Sequence, residues 1–183
     1  MPENAQVIGI GDSLVAGWPV DLLTIPKKFD KYWNFGFPGD TTSNVLWRMA
    51  EAPLERVDPT KVFLLVGTND LNLGRTPCET VFGIEAIVRL IERKWPRASI
   101  GVISIPPRGK NNSEFLTERT QVNSALASLS QHGHRFELIG LPDAQLVCTA
   151  SDGDCTYYQK DYLHLNRRGY AVLNRIVHEF LER

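Results

Sequence analysis

A dense Lys/Arg stripe, a long apolar run and a paired cysteine pattern are all missing from this chain. Its 183 residues carry 20 basic and 21 acidic side chains, a formal charge of −1, so no charge pattern tracks a phosphate backbone and nucleic acid is not an expected partner. No apolar stretch approaches the roughly 20 residues needed to span a bilayer. The start, Met1-Pro2-Glu3-Asn4, has neither the basic flank nor the apolar core of a secretion signal, which makes a cytoplasmic protein the expectation for the chain as given. Cysteine occurs only at Cys78, Cys148 and Cys155, an odd number for a disulfide framework and without the Cys/His pairing of a zinc site. These read as buried free thiols. The alternative is a Cys148–Cys155 bridge, which would go with an oxidising compartment such as a periplasm. No metal and no cofactor is expected.

What is present is a globular composition, 43% hydrophobic and 22% charged, which excludes disorder. The length fits one domain, residues 1–183, with a continuous core. Short apolar runs alternate with stretches of helical period. Ala5 to Ile10, Trp33 to Phe37, Val62 to Val66, Ser99 to Ile105 and Phe136 to Ile139 read as strands, the third an unbroken apolar run suited to a strand covered on both faces. Pro106-Pro107 stops the fourth. Val81, Ile84, Ile87, Val88, Ile91 and Trp95 form one helical stripe, and Val122, Ala125, Leu126 and Leu129 another. A last amphipathic helix carries Tyr170, Leu173, Ile176, Val177 and Phe180, with Asn166 placed as its N-cap. Strands and helices taking turns predict an α/β chain, a three-layer α/β/α sandwich of five strands and about five helices.

In parallel sheets ligands sit beyond the carboxyl ends of strands. The loops there are polar: Gly11-Asp12-Ser13-Leu14, Gly39-Asp40-Thr41-Thr42 and Gly67-Thr68-Asn69-Asp70, with Asp161 and His164 standing three apart before the last helix. Acyl transfer needs a nucleophile, a base, a group that orients the base, and oxyanion donors. Ser13 at a strand-to-helix turn supplies a hydroxyl and a backbone N–H, His164 an imidazole base, and Asp161 a carboxylate to set its tautomer. Gly39 lets the backbone approach a substrate, and the Asn69 amide is a further uncharged donor.

Ser13, Gly39, Asn69 and His164, in this order and in these settings, resemble the four blocks of the SGNH/GDSL hydrolases. Asn34-Phe35-Gly36, Val45-Leu46-Trp47-Arg48, Val66-Gly67-Thr68-Asn69, Pro107-Arg108-Gly109 and Asp161-Tyr162-Leu163-His164-Leu165 are similar to the subgroup of catalytic subunits of intracellular platelet-activating-factor acetylhydrolase, over about residues 7 to 181. The resemblance implies a flavodoxin-like five-stranded parallel sheet and metal-free hydrolysis of short acyl esters by Ser13, His164 and Asp161. By the same analogy the chain could form a homodimer. Two features depart from the subgroup: Asp70 stands where a second Asn is usual, and a Cys148 to Cys155 loop contains Asp152-Gly153-Asp154. A Cys-bracketed stretch before Asp-x-x-His also resembles periplasmic domains of envelope polysaccharide acetylation systems, so the ester could be borne by a lipid or a carbohydrate. Lysophospholipase or thioesterase work, and acyl transfer to a sugar, would use the same triad.

Other residues carry two readings. Asp12, Asp40 and Asp70 could rival Asp161 as orienting acid, or bond loop N–H groups. Trp18 and Trp47 could line a pocket with Asp12 and Asp40, or pack helix to sheet. Arg108 could meet an anionic group, or serve a Pro-rich loop. His132, His134 and His178 fit helix ends and surface. A dinucleotide site built on Gly9-Ile10-Gly11 lacks its third glycine, since Leu14 stands there, and Asp12 would oppose phosphate.

Overall fold

The computed structural model describes residues 4–29, 31–141, 146, 148 and 155–183. Five strands, β1 (Val7–Gly11), β2 (Tyr32–Gly36), β3 (Lys61–Leu65), β4 (Ser99–Ile103) and β5 (Glu137–Ile139), form one parallel sheet in the order β2-β1-β3-β4-β5. Six α-helices among the described residues complete it: α1 (Ser13–Ala16), α2 (Thr42–Glu51), α3 (Thr68–Asn72), α4 (Pro77–Lys94), α5 (Leu116–Gln131) and α6 (Arg167–Glu182).

Successive strand residues point to opposite faces, and each face has its own core. Ile8, Ile10, Val62, Leu64, Ile100 and Val102 meet Val45 and Met49 of α2, Ile84, Ile87, Val88 and Ile91 of α4, and Val122 and Leu126 of α5. Val7, Phe63, Leu65, Ile103 and Ile139 meet Leu14 and Val15 of α1 and Tyr170, Leu173, Val177 and Phe180 of α6. This is the three-layer α/β/α sandwich of the sequence pattern. Each fully buried Leu, Ile or Val contributes about 2 kcal/mol through removal from water, so the two stripes hold the helices to the sheet.

Caps set the helix starts. Thr76 and Glu79 bond reciprocally at the head of α4, where Pro77 needs no partner for an N–H it lacks. The Asn166 side chain accepts from the Arg168 and Gly169 N–H groups and opens α6. No helix among the described residues is long and apolar enough to cross a membrane.

Three particulars differ from expectation. β4 ends at Ile103, two residues before the expected Ile105, whose backbone N–H and carbonyl are both taken by the Asn123 side chain of α5, at 2.9 and 3.0 Å. The one-turn α3 is too short to show an apolar period. The free-thiol reading is corrected: Cys148 and Cys155 are joined in a disulfide and Cys78 is exposed. Both bridged residues are buried in the α6-side core with Cα atoms 5.1 Å apart, within bridging range. Asp152-Gly153-Asp154 lies outside the described residues.

Candidate active site

The strand order places the site. Gly11 pairs with Gly36 on one side and Leu65 on the other, so β2, β1 and β3 end level and their loops emerge side by side. The chain leaves β1 toward β2 on one side of the sheet and leaves β3 toward β4 on the other, so the connections diverge between the neighbours β1 and β3, where a crevice opens at their carboxyl ends. Gly11 is required there, because a Cβ would stand 2.0 Å from the Leu65 carbonyl oxygen. Asp12 then caps α1, its Oδ1 accepting the Leu14 N–H at 2.8 Å, and Ser13 becomes the first helical residue. A residue at that position has an N–H with no intrahelical acceptor.

The Ser13 hydroxyl lies 2.9 Å from His164 Nε2, although 151 positions separate the two residues. His164 Nδ1 is 2.7 Å from Asp161 Oδ2, while Asp161 Oδ1 accepts the backbone N–H groups of Leu163 at 3.0 Å and His164 at 2.9 Å. Partial burial alone would raise the Asp161 carboxyl. The hydrogen bond with His164 and the two backbone N–H groups outweigh it and hold the carboxyl below its ordinary value. An ionised Asp161 can only accept, so Nδ1 carries a proton, and in the neutral form of the imidazole Nε2 is the nitrogen left to accept from the Ser13 hydroxyl.

The loop carrying this pair is tied down at several points. Gln159 N–H donates to the His164 carbonyl at 2.7 Å, and the Tyr158 hydroxyl donates to the Pro107 carbonyl at 2.6 Å. Gly109 N–H, on the loop after β4, donates to the Tyr162 carbonyl at 2.8 Å.

Beside Ser13, the Phe37–Asp40 turn is closed by Asp40 N–H donating to the Phe37 carbonyl at 3.2 Å. Gly39 has φ +81 there with nothing within 4 Å of where a Cβ would be, so its backbone conformation and not crowding calls for glycine. Asn69, on α3, donates from Nδ2 to the Asp40 carbonyl at 2.9 Å. Ser13, Gly39 and Asn69 thus sit on the loops of three adjacent strands. A family model described as "GDSL-like Lipase/Acylhydrolase family" matches residues 10–172. The chain belongs to this family.

As a GDSL-like acylhydrolase it is a carboxylic ester hydrolase. Platelet-activating factor acetylhydrolase IB subunit alpha1 of Homo sapiens is 38% identical over 189 residues, covering 99% of this chain and 77% of that protein. The alpha2 subunit of Gallus gallus is 37% identical over 154 residues, covering 81% of this chain and 63% of its own length. Among solved structures, the lipase/acylhydrolase from Enterococcus faecalis has the same fold, with TM-score 0.76 at 22% identity over 99% of this chain and 96% of that one.

Not every residue singled out from the acylhydrolase sequence lies in the cleft. Trp18 is 2% exposed, with ring centroids 5.5 Å from Phe63 of β3 and 5.6 Å from Tyr170 of α6, so it packs helix to sheet in the core. Trp47 is 67% exposed on the solvent side of α2. Arg108 donates to Glu114 Oε2 at 3.0 Å, Thr68 Oγ1 at 3.3 Å and Asn72 Oδ1 at 3.4 Å, bracing the β4 loop against α3. Asp70 is fully buried and accepts from both the N–H and the hydroxyl of Thr42, at 2.9 and 2.7 Å, anchoring the head of α2. Asp40 pairs with Arg48. None of Asp12, Asp40 and Asp70 bonds the imidazole of His164 among the described residues. Arg48 and Tyr158 were missed as individuals, since an arginine on a helix and a tyrosine in a loop carry no local sign of the carbonyls they reach.

Asp12 is fully buried, and its Oδ2 has no hydrogen-bond partner. Burial pushes the carboxyl up to about 7; the Leu14 N–H opposes this and the charges of Asp40 and Asp70 add to it. With an unfolded value near 3.8, the folded state holds a proton that the unfolded state releases as pH rises from about 4 to about 7. Stability therefore falls across that window and levels off above it. Asp12→Asn keeps the Oδ1 acceptor and removes the ionisation. The variant should gain on the wild type progressively between pH 4 and 7, with a ceiling on the order of 4 kcal/mol. Thermal melts of both proteins from pH 4 to 8 check this; parallel curves would contradict it.

Proposed function

We propose that this esterase hydrolyses short-chain acyl esters, acetyl foremost, with Ser13 as nucleophile, His164 as general base and then acid, and Asp161 as the residue that fixes the imidazole tautomer. The observation that carries this reading is the unbroken hydrogen-bond path from the Ser13 hydroxyl through both His164 nitrogens to Asp161. Attack by Ser13 Oγ on the ester carbonyl passes its proton to Nε2. The tetrahedral oxyanion is stabilised by the Ser13 N–H, the Gly39 N–H and the Asn69 amide. Collapse expels the alcohol, which takes the proton from His164, and water then enters by the same route to release the acid.

Two features support a small acyl group and water as acceptor. α1 is packed closely on the sheet beneath Ser13, with Leu14 and Val15 buried and Gly36 so near that a Cβ there would stand 2.3 Å from the Ala16 nitrogen, and this favours a small acyl group. The His164 and Asp161 side chains are 35% and 48% exposed, which gives water access to the base. The relatives named as acetylhydrolases agree with a short acyl group. The alcohol is that of a lipid or carbohydrate O-acetyl ester. A panel of 4-nitrophenyl esters from acetyl to decanoyl, run beside O-acetylated sugars and acetylated phospholipids, tests this. The highest kcat/KM is expected at acetyl, at least about tenfold above octanoyl, since a site that excludes even one methylene discriminates by about 1–3 kcal/mol. A maximum at eight carbons or longer would favour lysophospholipase or thioesterase work instead, and product acyl-sugar formed in preference to free acid would favour transfer.

A further inference from the structure

Arg48 touches neither Ser13 nor His164, yet its guanidinium joins the ends of two strands to the turn that carries Gly39. Nη1 donates to the Phe35 carbonyl near the end of β2 at 3.0 Å, and Nη2 to the Gly11 carbonyl at the end of β1 at 3.4 Å. Nε donates to the Asp40 carboxylate at 3.0 Å, and Nη2 bonds the same oxygen. The group lies 4.2 Å from the Phe35 ring centre, which braces the plane of the fork. Gly11 comes two residues before Ser13, and Asp40 directly follows Gly39. One rigid plane therefore spans the two segments whose backbone N–H groups are assigned to the oxyanion.

We propose that Arg48 is a positioning residue for the oxyanion hole, holding the Gly39 N–H and the Ser13 N–H at a fixed separation. The proposal rests on the ester-hydrolysis reading above. It follows from geometry: the guanidinium carries five N–H donors in a fixed fork and four of its hydrogen bonds here are directed at three separate segments. A lysine ammonium at the same place is a point charge that can neutralise Asp40 without spanning the carbonyls of Gly11 and Phe35. Without the fork, the Phe37–Asp40 turn keeps the Phe37 N–H bond to the Gly11 carbonyl at 2.9 Å and the Asn69 bond to the Asp40 carbonyl at 2.9 Å, but its Asp40 end loses the side-chain link to the ends of β1 and β2.

The test compares wild type, Arg48→Lys and Arg48→Ala on 4-nitrophenyl acetate, with circular dichroism to measure the folded fraction and a fluorophosphonate to measure reactivity at Ser13. Arg48→Lys keeps the charge beside Asp40 and serves if Arg48→Ala does not fold. Misplacing an oxyanion donor by about 1 Å costs on the order of 10²-fold, so both variants should lose about 10- to 100-fold in kcat and in the phosphonylation rate. KM should stay within about threefold, because the ground-state ester does not use the hole, and the pH midpoint of kcat/KM should be unchanged because the histidine is untouched. Millimolar guanidinium should restore part of the kcat of folded Arg48→Ala. A lysine variant with wild-type kcat, or a loss that shows only in KM or only as unfolded protein, overturns the positioning role. A wild type that neither hydrolyses the ester nor takes the probe overturns the ester-hydrolysis reading along with it.

Discussion

Ser13→Ala is expected to lower kcat on 4-nitrophenyl acetate by about 10³-fold or more while leaving the protein folded, since loss of the nucleophile removes the covalent route entirely. The substitution deletes one oxygen. It leaves the Asp12 cap on Leu14 and the backbone N–H at position 13, so α1 and the oxyanion donors remain in place. Residual activity above the uncatalysed rate would come from those donors and from substrate binding. KM should move little, and labelling by a fluorophosphonate should vanish. Steady-state kinetics, a labelling gel and a thermal melt on the same preparations check the three parts together. Equal rates in variant and wild type would remove Ser13 from the chemistry.

Asp161→Asn is expected to cut kcat by about 10²- to 10⁴-fold near neutral pH, for a reason the hydrogen bonds make explicit. In the wild type one carboxylate oxygen accepts from the Leu163 and His164 N–H groups and the other accepts from His164 Nδ1. An asparagine that keeps its carbonyl on the two backbone groups turns its NH2 toward the imidazole. Nδ1 must then accept, which places the proton on Nε2, where it can no longer receive one from Ser13. The loop itself stays held by Gly109, Tyr158 and Gln159, so folding should be nearly unchanged. Asp161 lies 48% exposed, and water can relieve part of the wrong tautomer's cost, which is why the range extends down to 10²-fold. Turnover within about threefold of wild type, set against the expected 10²-fold or greater loss, would point to a different acid.

Much of the fold was legible in local pattern. The run Val62 to Val66 reads as a strand covered on both faces, and β3 is the middle strand of five with both faces buried. The stripe from Val81 to Ile91 reads as one face of a helix because its period is that of α4. Boundaries moved by one or two residues where tertiary partners intervene, as when Asn123 takes both backbone groups of Ile105. The two glycines of β1 weaken its strand signal, yet β1 sits between β2 and β3, because the missing Cβ of Gly9 leaves room for the Phe63 ring.

The site divides in the same way. Ser13, Gly39, Asn69, Asp161 and His164, the residues of the proposed site, could be put forward from residue type and from their places beyond strand ends and before the last helix. Trp18, Trp47 and Arg108 could not be decided, because an aromatic or a cation in a loop has no local feature that tells packing from binding. Trp18 went to the core, Trp47 to solvent and Arg108 to three protein acceptors. Arg48 was visible only as part of a longer resemblance, since its acceptors are backbone carbonyls of β1 and β2 and an aspartate across a turn.

The chain's order of residues by itself determined which segments become strands and helices, and which loops carry a hydroxyl, an imidazole, carboxylates and amide donors; periodicity and turn chemistry are local and act before any long-range contact forms. Only the tertiary structure decided which of four aspartates meets His164, and that His164 meets Ser13 across 151 positions. That choice depends on sheet order and on strands ending level. Both come from burying the two faces of one sheet together, a condition no stretch of sequence satisfies alone.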